Sequence, residues 1–161
     1  MELEADIART LADLKAVAPA GFDVVLHVRF TAPTFLFQTY PKAWVDEYSR
    51  DGLLIRDPTV IWSFANEGDI AWSDLAPADE ARVFERAAAH GLRHGHAVSV
   101  LRGGSRSMGG FARSDRPLGA DEVARARAAV ELLHDATGAA KPLTEEVRES
   151  LRLLSIAVTH P

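Results

Sequence analysis

Three aromatic side chains and one carboxylate in residues 40–60, YPKAWVDEYSRDGLLIRDPTV, have the types and spacing of a small-molecule binding surface. Tyr40, Trp44 and Tyr48 are four residues apart, so on a helix they lie along one face. Each carries a hydroxyl or an indole N–H that needs a partner when it is buried. Asp57 follows in an apolar segment, where a carboxylate must accept hydrogen bonds or become protonated. Together they suit an amphiphilic ligand with amide and carbonyl groups.

The same residues also have purely structural explanations. Aromatic residues at helical spacing most often face a protein core. Asp57 precedes Pro58, and an aspartate at that place can cap the helix predicted for PTVIWSFANEG by accepting its first backbone N–H groups. Both explanations stay open at this point.

Patterns that would indicate catalysis or metal binding are weak. His94 and His96 would share one face of a strand while His90 ends the preceding helix, which is a poor arrangement for a metal. The glycine-rich LRGGSRSMGG lacks the Lys-Ser/Thr ending of a phosphate-binding loop and opens no helix. No Ser-His-Asp pattern is signalled. We therefore expect a protein that is not an enzyme and that uses no metal and no cofactor.

Composition limits the broad class of the protein. A chain of 161 residues with 47% hydrophobic residues predicts one globular unit. A formal charge of -5 argues against binding to nucleic acid or anionic membranes. The absence of cysteine excludes disulfides and thiolate sites. An acidic start and the lack of an apolar run of roughly 18 residues predict a soluble, unexported, cytoplasmic protein.

Periodicity predicts helices that alternate with paired strands. Residues 2–18 have the spacing of an amphipathic helix, and two apolar runs around TAPT at 31–34 predict a hairpin whose Val24, Leu26 and Val28 share one face. A second hairpin is expected around Gly103-Gly104. Further helices are predicted from Pro41 to Gly52, from Pro58 to Gly68, over 76–91 with Asp79 as its cap, and from 121 to Gly138.

A brief extended piece is also expected over DIAWSD at 69–74. The resulting order, α-β-β-α-α-β-α-β-β-α, indicates an α+β fold. Strands that occur as hairpins between helices favour an antiparallel sheet over a parallel one. We therefore predict an α-β-α sandwich with a central antiparallel sheet of about five strands flanked by helices.

The stretch 40–60, followed by AW at 71–72 and HGLRHG at 90–95, resembles the autoinducer-binding domain of LuxR-type quorum-sensing regulators, which bind N-acyl-homoserine lactones. The resemblance covers roughly residues 20–137. The family's recurring Trp, Tyr, Asp-Pro, Trp and Gly correspond here to Trp44, Tyr48, Asp57-Pro58, Trp72 and Gly95. The family fold is also an α-β-α sandwich, which agrees with the order of elements.

This resemblance implies a role for each site residue. The Trp44 indole N–H would donate to the lactone carbonyl, and Asp57 would accept from the ligand amide. Tyr40 and Tyr48 would lie around the acyl carbonyl and chain, with Thr59 as a further polar contact. Trp72 would pack beside the lactone ring, while Pro58 and Gly95 would be structural. The expected pocket lining is Leu36, Val60, Phe84, Ala87, Leu92, Ala97, Phe111 and Ala112.

Three features depart from the family pattern. The turn TAPT is shorter than the loop that covers the acyl chain in several members, so a more open pocket is expected. Ala112 stands where many members place a Ser or Thr that reaches the acyl carbonyl. Arg93, His94 and His96 add polarity near a pocket strand, which leaves room for a different acyl group or signal.

Residues 139–161 are predicted to form a separate segment after a ligand-binding domain at 1–138. They resemble a linker and the start of the family's helix-turn-helix domain, so DNA reading is expected only if a complete helix-turn-helix follows. The expected partners are a small-molecule autoinducer and a second chain, as a homodimer or as a heterodimer with a full-length regulator. The alternative function is a ligand-independent interaction protein that modulates such a regulator.

Overall fold

A computed structural model describes residues 2–28 and 35–138, together with Glu149. Short 3-10 turns at Leu53–Arg56 and Ala76–Ala78 join some of the longer elements. Those elements are α1 (Glu2–Val17), β1 (Gly21–Val28), β2 (Phe35–Gln38), α2 (Lys42–Arg50), α3 (Pro58–Ala65), β3 (Gly68–Ala71), α4 (Trp72–Leu75), α5 (Val83–Ala88), β4 (His94–Arg102), β5 (Ser105–Arg113) and α6 (Ala120–Ala136).

The five strands form one antiparallel sheet in the order β2-β1-β5-β4-β3. This confirms the predicted sheet and both predicted hairpins. The β4–β5 turn is made by Gly103 and Gly104 at φ 61° and 74°, a left-handed conformation that glycine adopts without steric cost. Strand β5 is the central strand, with β1 and β4 on either side of it.

One face of the sheet packs against α1 and α6. Helix α1 buries Ile7, Leu11, Leu14 and Val17, the residues whose spacing predicted it. They meet side chains from alternate positions of the strands, as the pleat of a sheet requires. Each such apolar side chain stabilises the fold by roughly 1.5–3 kcal/mol on burial. The strand residues in this core are Phe22, Val24, Leu26, Phe37, Val98, Val100 and Phe111.

The other face is covered by α2, α3, α4 and α5, which completes the predicted α-β-α sandwich. A second and smaller apolar cluster forms here around Trp44 and Trp72. It does not fill the whole space between these helices and the sheet, because a cavity remains there.

Two imidazole rings join β1 to α6 on the first face. His27 donates from Nε2 to the backbone oxygen of His134 at 2.8 Å, and the ring centroids are 4.2 Å apart. The Ser107 hydroxyl lies 2.6 Å from His134 Nδ1 and accepts from the His27 backbone N–H at 3.0 Å. His27 has φ 50°, at a register irregularity between Val25 and Val28.

That irregularity corrects one prediction about β1. Val24 and Leu26 face the α1–α6 core as expected, but Val28 lines the cavity on the opposite face. The extra residue at the bulge shifts the alternation by one, which sends the following side chain to the other side of the sheet.

The helix predicted over 76–91 is also shorter than expected. Arg82 adopts a left-handed φ of 56°, so α5 begins only at Val83. The Asp79 carboxylate still accepts the first N–H groups of that helix, from Val83 and Phe84, both at 2.9 Å. The predictions for TAPT and for the segment 139–161 lie outside the described residues, Glu149 apart. Within the described ranges, no helix is long and apolar enough to cross a membrane.

Candidate functional site

A cavity of about 690 Å³ lies between the sheet and helices α2, α3 and α5. This volume is in the range of small-molecule sites, and the lining is mostly apolar. Ten predicted site residues line it: Leu36, Tyr40, Trp44, Tyr48, Asp57, Thr59, Val60, Trp72, Phe84 and Ala87. The residues that were not predicted are Asp23, Val25, Val28, Gln38, Val45, Ser49, Leu54, Ile55, Ile61, Ser63, Phe64, Val83, Met108, Gly109 and Gly110.

Helix α2 supplies one wall of the cavity. Pro41 precedes its first residue, and Trp44 and Tyr48 follow on consecutive turns of the same face. Their rings meet edge to face, with centroids 5.6 Å apart and planes at 69°. The Trp44 indole N–H makes no hydrogen bond to any described residue, although the side chain is buried. The Trp44 N–H is therefore available to donate a hydrogen bond to a ligand in the cavity.

Asp57 joins this wall to α3 through both carboxylate oxygens. Oδ1 accepts from the Thr59 backbone N–H at 2.9 Å and from the Thr59 hydroxyl at 2.7 Å. Oδ2 accepts from the Tyr48 hydroxyl at 2.8 Å. The helix-cap explanation of Asp57 is confirmed, with Pro58 at the first position of α3. A carboxylate oxygen has two lone pairs, so Oδ2 can accept a second donor from the cavity.

The environment of Asp57 disfavours its ionised form. Burial raises the pKa of this carboxyl, and the hydrogen bonds from Thr59 and Tyr48 offset part of that rise. Burial and the neighbouring Asp57 carboxylate also hold the pKa of Tyr48 far above its usual range, so its hydroxyl stays protonated as a donor. The wall thus presents the Asp57 carboxyl as an acceptor, held in place by the Tyr48 hydroxyl, in an apolar setting.

A second carboxylate, Asp23 of β1, lines the same cavity and was missed by sequence reasoning. Its Oδ1 accepts from the Gly110 backbone N–H at 2.8 Å and from the Tyr40 hydroxyl at 3.4 Å. Burial, together with the charge of Asp57, raises the pKa of Asp23 to about 7. The available signal was a lone acidic residue inside the alternating apolar strand GFDVVLHV.

The Tyr40 side chain occupies space that two glycines leave open. A Cβ at Gly21 would lie 2.7 Å from Tyr40 Cδ1, and one at Gly110 would lie 2.7 Å from the Tyr40 hydroxyl oxygen. Neither distance is possible for a real side chain, so glycine at these positions of β1 and β5 is what admits the Tyr40 ring. The ring lies against the two paired strands at these glycines and its hydroxyl reaches Asp23.

Trp72, at the start of α4, forms another part of the lining. Its indole stacks on the Phe84 ring at 5.3 Å and lies against the backbone of Gly95, where a Cβ would come within 2.0 Å of the indole. The predicted structural role of Gly95 is thus realised through close contact with Trp72. The Trp72 indole N–H is buried and has no hydrogen-bond partner among the described residues.

Four predicted lining residues do not line the cavity. Strand pleat turns one of them to the opposite face, and the other three are buried on the cavity side of the sheet but beside the cavity. Phe111 points to the opposite face and packs in the α1–α6 core. Ala112 and Leu92 lie in the Trp44–Trp72 cluster, and Ala97 is buried next to Gly110 in the strand register. None of the four is among the cavity-lining residues.

Two of the three histidines in the 90–96 region contact separate carboxylates. His90 Nε2 lies 2.9 Å from Glu47 Oε1, and His96 Nε2 lies 2.8 Å from Asp69 Oδ1 on the other side of the sheet. Across residues 2–28 and 35–138, no three His, Asp or Glu side chains are placed to hold a metal.

The lining contains two carboxylates and, within the described part of the chain, no Lys, Arg or His. An unliganded cavity of this kind lacks a cation to balance its acceptors. It favours occupants that bring hydrogen-bond donors on an apolar body.

Comparison with known proteins gives a consistent family. Residues 9–137 match the sequence model of the autoinducer binding domain. The regulatory protein SdiA of Escherichia coli (strain K12) is 38% identical over 69 residues, which cover 42% of this chain and 29% of SdiA. The match therefore spans less than a third of the length of that relative.

Solved structures share the fold. CepR2 of Burkholderia cenocepacia, an N-acylhomoserine lactone dependent LuxR family transcription factor, superposes with a TM-score of 0.58 at 21% identity and covers 86% of this chain and 93% of its own. SdiA in complex with octanoyl-rac-glycerol gives a TM-score of 0.54 at 23% identity, with 98% of this chain and 70% of that chain covered. At these identities the likeness establishes the fold alone.

Proposed function

Because the chain belongs to the autoinducer binding domain family, we propose that its cavity binds an N-acyl-homoserine lactone or a closely related acyl signal. The observation that carries the proposal is the wall formed by Trp44, Tyr48 and Asp57 in an apolar cavity of about 690 Å³. A donor and an acceptor at this spacing suit a ligand whose polar head has an amide N–H and a carbonyl.

In this proposal Asp57 and Trp44 each have one hydrogen-bond partner on the ligand. Asp57 Oδ2 accepts the amide N–H beside the hydrogen bond that it already receives from Tyr48. The Trp44 indole N–H donates to the ring carbonyl, and Thr59 stays committed to Asp57. Trp72 packs against the ring, since its indole already lines the cavity beside Phe84.

The acyl chain extends toward an apolar rim where the cavity meets solvent. Ile55 is 79% exposed and Ile61 57% exposed, yet both line the cavity, together with the partly exposed Leu54 and Phe64. A chain that covers this rim removes apolar surface from water, which is worth at most about 0.8 kcal/mol for each buried CH₂. We expect dodecanoyl-homoserine lactone to bind more tightly than butanoyl-homoserine lactone.

Binding acts on the stability of the domain. A ligand that binds the folded chain alone stabilises it by about 2.7 kcal/mol at a concentration of 100 Kd. For a chain of this size that corresponds to a rise in Tm of roughly 5 to 10 °C. The proposed function is therefore a sensor in which signal concentration sets the population of folded domain.

The test is thermal unfolding of the purified chain with N-octanoyl-homoserine lactone. The parent should show the full rise in Tm, Asp57→Ala should lose it, and Trp44→Phe should lose part of it because the ring remains and only the N–H is removed. Asp74→Ala is a control, since Asp74 is exposed and outside the cavity lining. Equal shifts in all four proteins would refute this site.

A second probe tests the ligand class. Octanoyl-glycerol belongs in the panel because a structurally similar SdiA was solved with it. Stabilisation by the glycerol ester without any stabilisation by lactones would replace the lactone proposal. Mass spectrometry of an organic extract, after expression with the same compounds, would identify the ligand that is retained.

We also propose that the liganded domain dimerises in the cytoplasm, with itself or with a full-length regulator of the family. We assign no catalytic step to the cavity. Light scattering with and without lactone tests the homodimer. Co-purification with a full-length regulator in the absence of lactone would instead favour the ligand-independent interaction protein.

A further inference from the structure

A second polar group of the cavity is not used by the proposed ligand head. Asp23 projects from β1 onto the cavity side of the sheet. Its Oδ1 accepts from Gly110 and Tyr40, as described above, whereas its Oδ2 makes no hydrogen bond to any described residue. Asp23 therefore offers an uncommitted acceptor to the cavity.

Gln38 stands beside Asp23 on the neighbouring strand. The two residues are directly paired in the register of β1 and β2, so their side chains project from the same face of the sheet. Gln38 also lines the cavity, and its side-chain amide has no hydrogen-bond partner in residues 2–28 and 35–138. An amide both donates and accepts, so the pair presents an acceptor and a donor side by side.

The backbone of β5 fixes the position of the Asp23 carboxylate. The backbone N–H of Gly110 donates to Asp23, and a Cβ at Gly110 would lie only 2.9 Å from Asp23 Oδ1. Any side chain at this position would displace the carboxylate. The absence of a side chain at Gly110 thus leaves the space that the Asp23 carboxylate occupies.

We propose that Asp23 and Gln38 form a second polar subsite, which binds a hydroxyl group on the body of a ligand whose amide is held at Asp57. The inference rests on the proposed function and narrows its ligand to a hydroxylated acyl signal. A hydroxyl donates to Asp23 Oδ2 and accepts from the Gln38 amide, so one small neutral group satisfies both partners.

The electrostatics favour a hydroxyl over a charged group. Burial raises the pKa of Asp23 to about 7, so near neutral pH the carboxyl is present in both protonated and ionised forms. A hydroxyl can donate to the ionised form and accept from the protonated form. A ligand cation is attracted to the ionised form alone and must also lose its hydration in a largely apolar cavity.

The test compares two probes that differ by one oxygen atom, N-(3-hydroxyoctanoyl)-homoserine lactone and N-octanoyl-homoserine lactone. Isothermal titration of the whole chain should give a Kd about tenfold lower for the hydroxylated probe. In Asp23→Ala and in Gln38→Leu this ratio should fall to about one, while the Kd of the plain probe changes less. Asp74→Ala should keep the parental ratio.

The outcomes separate this inference from the proposed function. Binding of both probes with equal Kd by the parent, or a parental ratio in both cavity variants, would overturn the subsite and leave lactone binding intact. If Asp23→Ala does not fold, the ratio in Gln38→Leu decides. A 3-amino probe that binds more tightly than the 3-hydroxy probe would overturn the choice of a hydroxyl. Binding of no probe would refute the proposed function and the subsite together.

Discussion

Replacement of Asp23 by Asn should stabilise the unliganded protein near neutral pH. Asn keeps the carbonyl oxygen that accepts from Gly110 and Tyr40, but it does not ionise. In the parent the pKa of Asp23 is raised from 3.8 to about 7 by burial and by the charge of Asp57. Comparison with this variant therefore measures the free-energy cost of burying an ionisable carboxyl at position 23.

The sign and size follow from the raised pKa. Below pH 4 the carboxyl is protonated in both folded and unfolded chains and causes no loss of stability. Between pH 4 and pH 7 the unfolded chain releases its proton while the folded chain keeps it, so the parent loses stability as the pH rises. The difference from 3.8 to about 7, at about 1.4 kcal/mol for each pH unit, amounts to about 4 kcal/mol. Burial also raises the pKa of Asp57 and so weakens the charge that acts on Asp23, and we therefore expect about 2 to 4 kcal/mol.

The assay is urea unfolding followed by tryptophan fluorescence at pH 4.5, 6 and 7.5. The free energy of unfolding of Asp23→Asn should exceed that of the parent by about 2 to 4 kcal/mol at pH 7.5 and by much less at pH 4.5. Asp74→Asn, an exposed control, should follow the parent at all three values. An advantage that is the same at pH 4.5 and 7.5, or a variant less stable than the parent at pH 7.5, would refute the reasoning.

Three further predictions concern the elements around the site. Gly95→Ala should destabilise the fold by about 1–3 kcal/mol, because the new Cβ would overlap the Trp72 indole; urea unfolding measures it, and Trp72→Leu in the same chain should recover part of the loss. Asp79→Ala should cost about 1–2 kcal/mol in the same assay, because two backbone N–H groups at the start of α5 lose their acceptor; an unchanged midpoint would show that water replaces the carboxylate. Burial lowers the pKa of His134, so its contribution to stability is complete above the unfolded pKa of 6.5 and is lost as the pH falls below it. The free energy of unfolding of the parent should exceed that of His134→Gln at pH 8, and this difference should disappear by pH 5. A difference that stays constant with pH would contradict this.

Much of the fold could be predicted because its signals are local. The four buried positions of α1 follow helical spacing, and Gly103-Gly104 marks a turn by its left-handed backbone. The polar wall was predicted for a similar reason. Trp44 and Tyr48 lie on α2, so their common face follows from the helix period. Tyr40, predicted on the same face, instead precedes the helix and reaches Asp23 from outside it.

The sheet side of the cavity could not be predicted in the same way. Which face a strand residue takes depends on pairing with distant strands, and a single bulge reverses it. Val28 was assigned to the wrong face for that reason, and Phe111 was expected in a cavity that its strand turns away from. Asp23 and Gln38 become neighbours only through the β1–β2 register. The polar side of the cavity formed by these two residues therefore depends on strand pairing, which the sequence pattern does not reveal.

Strand β1 connects the cavity on one face of the sheet to α6 on the other. Asp23 enters the cavity, and four residues later His27 holds the backbone of His134 in α6. Any ligand that shifts the strand at Asp23 moves a covalently linked ring against the last turns of α6. A signal can therefore pass from the cavity to the far layer along a single stretch of backbone.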